Sequence, residues 1–172
     1  MIKYTLCYLE QNEKLLMLNR QSTPLMGLWH GVGGKIEYNE TPDNSVRREI
    51  LEETGLVVPD VQFRGKVTWT IDNLLSGGMY LFYSNISTTS ALETPLQMQE
   101  GILDWKEIDW VLDPENQGVP PHTRYFLPTL LAKGLPYHHH ISFHNQQITN
   151  YERNLLNNTS VKKGQLVTQS NL

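Results

Sequence analysis

Glu49, Glu52 and Glu53 stand at i, i+3 and i+4 in the stretch RREILEETGL, the spacing that sets side chains on one face of a helix. Each like-charge pair at that spacing destabilises an isolated helix by roughly 0.2 to 0.5 kcal/mol. Glu52 and Glu53 also fall near the C-terminal end, where the helix dipole disfavours anions. Arg47 and Arg48 offset only part of this. A hard divalent cation reverses the balance, because Mg²⁺ takes carboxylate oxygens and bridges to phosphate oxygens. A solvated acidic face is the other reading, and the three glutamates alone do not decide between them.

The surrounding residues say how such a helix would be held. Thr41 suits the N-cap, Pro42 the first helical position and Gly55 the left-handed stop, which predicts a helix from Pro42 to Thr54. Ahead of it, QSTPLMGLWHGVGGK carries one proline and four glycines and reads as a loop with tight turns. IKYTLCYLE and KLLMLNR, split by the polar QNEK, read as a hairpin. VQFRGKVTWTI and GGMYLFYSNI are further strands, and GILDWKEIDWVL a short strand running into a helical turn. PHTRYFLPTLLAKG predicts a helix ending near Gly134, with Pro128 expected to kink it or split it in two. HHISFHNQQITNYERN predicts a terminal hairpin. Strands interspersed with helices argue an α/β (α+β) domain over residues 1–157, followed by a polar, frayed tail over 158–172.

Composition bounds the function. A chain of 172 residues with 39% hydrophobic content can bury one real core. The net charge of −4 and the scattered basic residues leave no footprint for duplex nucleic acid or an anionic membrane. An anionic substrate therefore needs local help, from a metal for instance. The single cysteine, Cys7, excludes an internal disulfide and fits a reducing, cytoplasmic setting. No run approaches the ~20 apolar residues of a membrane span.

From Gly34 the chain reads five residues, Glu40, seven residues, Arg48, Glu49, Ile50, any residue, Glu52, Glu53, any residue, Gly55, Leu56. This resembles the Nudix box at each of its positions; seven fixed identities coincide by chance roughly once in 10⁸ start positions. The resemblance implies an α/β/α sandwich around a mixed sheet, and Mg²⁺-dependent hydrolysis (Mn²⁺ as a substitute) of a nucleoside diphosphate linked to another group. It implies Glu52 and Glu53 as metal ligands, Glu49 as ligand or general base, and Arg48 as the residue orienting the carboxylates. Glu40 resembles a supporting carboxylate, the Gly33 carbonyl a further metal ligand, and Lys35 a contact to substrate phosphates. Family members often add a loop glutamate several residues ahead of a strand tryptophan. Glu100 and Trp105 in QEGILDW match that spacing.

LLMLNR followed by LWHGVGGKIE is similar to the MutT-like branch, which includes 8-oxo-dGTP diphosphatases. On that likeness Arg20 and the loop from Gln21 to Trp29 line a nucleotide pocket, with Trp29 as wall or core. Animal members of the branch read an oxidised purine with a tryptophan and paired aspartates. Here the comparable stretch is VPPHTRYFLP, with His122 and Thr123 in place of acids, so His122 is the candidate base contact. The likeness implies hydrolysis of a nucleoside triphosphate, with an ordinary or an oxidised base, to monophosphate and pyrophosphate. Another nucleoside-diphosphate-X substrate and a non-catalytic nucleotide sensor are the alternatives. The proline or tyrosine that marks the ADP-ribose and dinucleoside-polyphosphate branches is absent from TIDNL, and all four box carboxylates are present, against a sensor. His138 to His140 cannot all converge on one ion, because neighbours in a strand alternate faces. Monomer and homodimer stay open.

Overall fold

The computed structural model describes residues 2–86 and 92–156. Its elements are β1 (Tyr4–Gln11), β2 (Lys14–Arg20), β3 (Trp29–His30), α1 (Pro42–Thr54), β4 (Gln62–Ile71), β5 (Leu74–Asn85), β6 (Leu96–Met98), β7 (Gly101–Glu107), α2 (Ile108–Leu112), α3 (Thr123–Leu131), β8 (Tyr137–His144) and β9 (Gln147–Leu155). The tail expected over 158–172 lies outside the described residues.

One sheet runs β6-β7-β2-β1-β5-β4-β8-β9, with β3 added alongside β2. It is mixed: β1 pairs parallel with β5 and β4 with β8, while the other pairings are antiparallel. The two-residue period of a strand divides its side chains between two cores. Cys7, Leu9, Leu16 and Phe82 pack with Val46 and Ile50 of α1. Leu6, Tyr8, Met17 and Leu81 pack with Phe126, Leu127 and Leu130 of α3. Leu6 to Leu9 are each at most 1% exposed, so β1 is covered on both faces and reads as an unbroken apolar run. This is the expected α/β/α sandwich. Among the described residues no helix is long and apolar enough to cross a membrane.

The helix α1 begins and ends where its caps predicted. Thr41 Oγ1 accepts from the Asn44 amide at 3.2 Å, and Gly55, at φ 72°, donates to the Leu51 carbonyl at 2.8 Å. The Arg47 guanidinium donates to Asp43 at 2.9 Å and to the Val58 and Pro59 carbonyls at 3.0 and 3.1 Å, tying the helix to the chain that leaves it.

Three local expectations change. Pro128 does not split its helix, and α3 runs through it. Pro128 and Arg124, whose carbonyl loses its helical donor to the proline, both lie on the exposed side, where water replaces the missing bond. Within the expected loop, Trp29 and His30 form β3, paired to Asn19 and Leu18. Two residues are too few to show a periodicity. The three-residue β6 escaped for the same reason.

Candidate functional site

The acidic face of α1 is organised around one guanidinium. Arg48 donates from Nε and Nη2 to the two oxygens of Glu40, both at 2.9 Å, a bidentate grip. Its Nη1 donates to Glu49 Oε1 at 2.9 Å and Glu52 Oε2 at 3.0 Å, and Nη2 also reaches the Lys35 carbonyl at 3.1 Å. Arg48 holds the Glu40 carboxyl below its usual range, and the Glu37 amide, donating to Oε2 at 3.0 Å, adds to that.

Glu53 lies beyond the reach of Arg48. It is 5% exposed, accepts from the Gly33 amide through Oε2 at 2.7 Å, and has its other oxygen, Oε1, buried without a well-formed hydrogen bond, the Glu100 carboxyl lying beside this side chain. Burial first, then the nearby Glu100 and Glu49 carboxylates, push its pKa up to about 8 against the pull of the Gly33 amide. Burial also raises Glu49, with Arg48 opposing. Glu100, on the turn between β6 and β7, comes to this cluster because its carbonyl accepts from the Gln21 amide at 3.0 Å.

Both glycines before α1 are needed for these contacts. Gly33 has φ 146°, and a Cβ there would meet the Thr5 carbonyl oxygen at 2.3 Å; a Cβ on Gly34 would meet Glu49 Oε1 at 2.4 Å. The loop therefore closes directly onto the carboxylates.

Among the described residues no three acidic or imidazole groups already stand around one point as a ligand set. Arg48 draws Glu49 and Glu52 toward itself, which is what carboxylates do when a guanidinium is the nearest cation. The donor chemistry nonetheless fits a hard divalent ion: oxygen ligands only, one of them the buried Glu53 Oε1.

A second group of polar side chains forms on the α3 side, joined to the first by the chain from Trp29 to Lys35. His122 precedes α3, its ring 6.2 Å from Phe126 and 6.4 Å from Phe143. Burial lowers His122 to about 4; burial, then His122 and Arg20, lower His30 to about 3. Both imidazoles are neutral at physiological pH. Arg20 Nε, Tyr8 Oη and Thr123 Oγ1 are buried here without well-formed hydrogen bonds. Arg20 and His122 thus both lie beside His30. His30 was missed: nothing local marks it, and only the pairing of β3 with β2 brings it in. The Trp29 ring packs against the α3-side core and carries Lys106 Nζ 4.0 Å from its centroid. The Lys35 side chain is exposed, and only its carbonyl enters the Arg48 network.

Known proteins resemble this chain in sequence and fold. A family model described as the NUDIX domain matches residues 3–128. The uncharacterised Nudix hydrolase YvcI of Bacillus subtilis is 30% identical over 132 residues, covering 75% of this chain and 78% of that protein. The oxidized purine nucleoside triphosphate hydrolase of Mus musculus is 28% identical over 131 residues, covering 76% and 80%. Among solved structures, the MutT protein of Bacillus halodurans superposes with a TM-score of 0.71 at 22% identity, covering 89% of this chain and 97% of that one. The fold, the intact box and a family match over most of its length together make this chain a member of the Nudix hydrolase family.

Proposed function

We propose that the protein hydrolyses a nucleoside triphosphate, with a purine or oxidised purine base, to the monophosphate and pyrophosphate in an Mg²⁺-dependent reaction on the cytoplasmic nucleotide pool. The observation that carries this reading is Glu53, with one oxygen fixed by the Gly33 amide and the other buried without a well-formed hydrogen bond beside Glu49 and Glu100. Glu49, Glu52, Glu53 and the Gly33 carbonyl would hold Mg²⁺, with Glu100 as a further ligand. When bound, the ion supplies charge neutralisation of the phosphates and a more acidic water.

The chain's own groups do the rest. Arg48 fixes the aim of Glu49 and Glu52, and Glu40 fixes Arg48. Glu49 or Glu100 accepts the proton of the attacking water, burial having raised Glu49 toward the range of an effective base. Lys35 contacts the substrate phosphates. Arg20, Trp29, His30 and His122 line the base side, and the similarity to the mouse oxidized purine nucleoside triphosphate hydrolase supports a purine there.

Incubation with a nucleotide panel and Mg²⁺, with chromatography of the products, tests this. Monophosphate and pyrophosphate from 8-oxo-dGTP or dGTP, lost in Glu53→Gln, is the expected result. Turnover confined to nucleotide sugars or ADP-ribose would transfer the site to another nucleoside-diphosphate substrate. Binding without turnover would make the domain a sensor.

A further inference from the structure

His138 and His140 stand two residues apart on β8 and turn the same way. His138 Nε2 and His140 Nδ1 each lie 2.8 Å from Thr68 Oγ1 on β4. His139, between them, faces α3, where Nδ1 lies 2.9 Å from Tyr151 Oη and Nε2 3.3 Å from Thr129 Oγ1. That middle residue is therefore occupied by the core. Its neighbours are not.

The hydroxyl of Thr68 has one proton, so it can donate to only one of the two imidazoles, and the other must donate to it. Two ring nitrogens thus converge on a single oxygen and stand no farther apart than twice that hydrogen-bond length. Strand pairing adds a third donor. Glu152 of β9 lies directly opposite His140, and Asn154 opposite His138; cross-strand partners share a face. Glu152 is exposed and accepts from Asn150 Nδ2 at 3.0 Å. Lys66, opposite His138 on β4, works against a cation here, and Glu152 offsets it.

We propose that His138, His140 and Glu152 form a binding site for a divalent transition-metal ion of the Zn²⁺ class, separate from the acidic face of α1. Two imidazoles and one carboxylate suit such an ion, whereas the all-oxygen set around Glu53 suits Mg²⁺. No three such groups meet among the described residues as they stand, so Glu152 must leave Asn150 and the two rings must turn from Thr68. The ion would brace β8 and β9 against each other. None of this depends on the nucleotide reading.

The test is Zn²⁺ titration of the full chain by calorimetry, with excess Mg²⁺ present to occupy the α1 site. Wild type and Glu53→Gln are expected to bind one Zn²⁺ alike, with a raised unfolding midpoint. His140→Ala and Glu152→Gln should each weaken that binding by at least about tenfold. Glu152→Gln changes an exposed side chain and keeps the test valid if the histidine variant folds poorly. No Zn²⁺ uptake by wild type, uptake abolished by Glu53→Gln, or uptake unaltered in both β8 and β9 variants overturns the proposal.

Discussion

A Cβ placed on Gly34 would stand 2.4 Å from Glu49 Oε1 and 2.6 Å from Oε2. The atom it meets ends a flexible side chain, so the carboxylate can swing away while the fold stays intact. Gly34→Ala should therefore change stability by less than about 1 kcal/mol and lower kcat/KM by at least about tenfold. Thermal melts beside steady-state kinetics check both halves. A large loss of stability would mean that the loop backbone, not the carboxylate, is what the glycine protects.

Arg48→Ala removes the shared cation from Glu40, Glu49 and Glu52 at once. The expected cost is about 1–3 kcal/mol of stability and roughly a hundredfold in kcat. Arg48→Lys restores charge but not the bidentate hold on Glu40, so its rate should fall between the two. Equal rates for the lysine variant and wild type would show that geometry is not what Arg48 supplies.

His30→Ala and His122→Ala should each raise KM for a purine nucleoside triphosphate by about tenfold and leave kcat nearly unchanged. Because the two rings lie beside each other in one buried group, the double variant should cost less than the sum of the singles. Strict additivity would separate them.

His139 is 1% exposed, with its pKa lowered to about 4 by burial, then by Arg153 and His138. In the unfolded chain a histidine titrates near 6.5. Between those values the unfolded chain binds the extra proton, so this group's contribution is present above pH 6.5 and lost as pH falls toward 4. Unfolding midpoints should drop over that window, and His139→Gln should flatten the drop by on the order of 2 kcal/mol. An identical pH profile for the variant would place the acid sensitivity elsewhere.

What the sequence could tell follows the range of the interactions involved. The ends of α1 were legible because Thr41, Pro42 and Gly55 act within one turn of themselves. The terminal turn was legible in part: NQQ marked it, and Asn145 and Gln146 do take positive φ, 48° and 64°. The box carboxylates were readable from spacing, yet their division into three held by Arg48 and one buried beneath Gly33 was not. That division depends on where the glycine loop crosses β1. His30 was unreadable because its neighbours Arg20 and His122 arrive from β2 and α3. Pro128 leaves its helix in one piece because a helix tolerates proline where the orphaned carbonyl faces water.

Hydrolysis at this site rests on metal binding by the buried Glu53 carboxylate. Calorimetric titration of Mg²⁺ into the protein with a non-hydrolysable nucleoside triphosphate analogue, for wild type and Glu53→Gln, tests it most directly. Metal uptake by wild type that weakens at least tenfold in the variant, with the unfolding midpoint of the variant unchanged or raised, is the result expected. Identical Mg²⁺ isotherms for the two proteins would mean that Glu53 does not hold the ion.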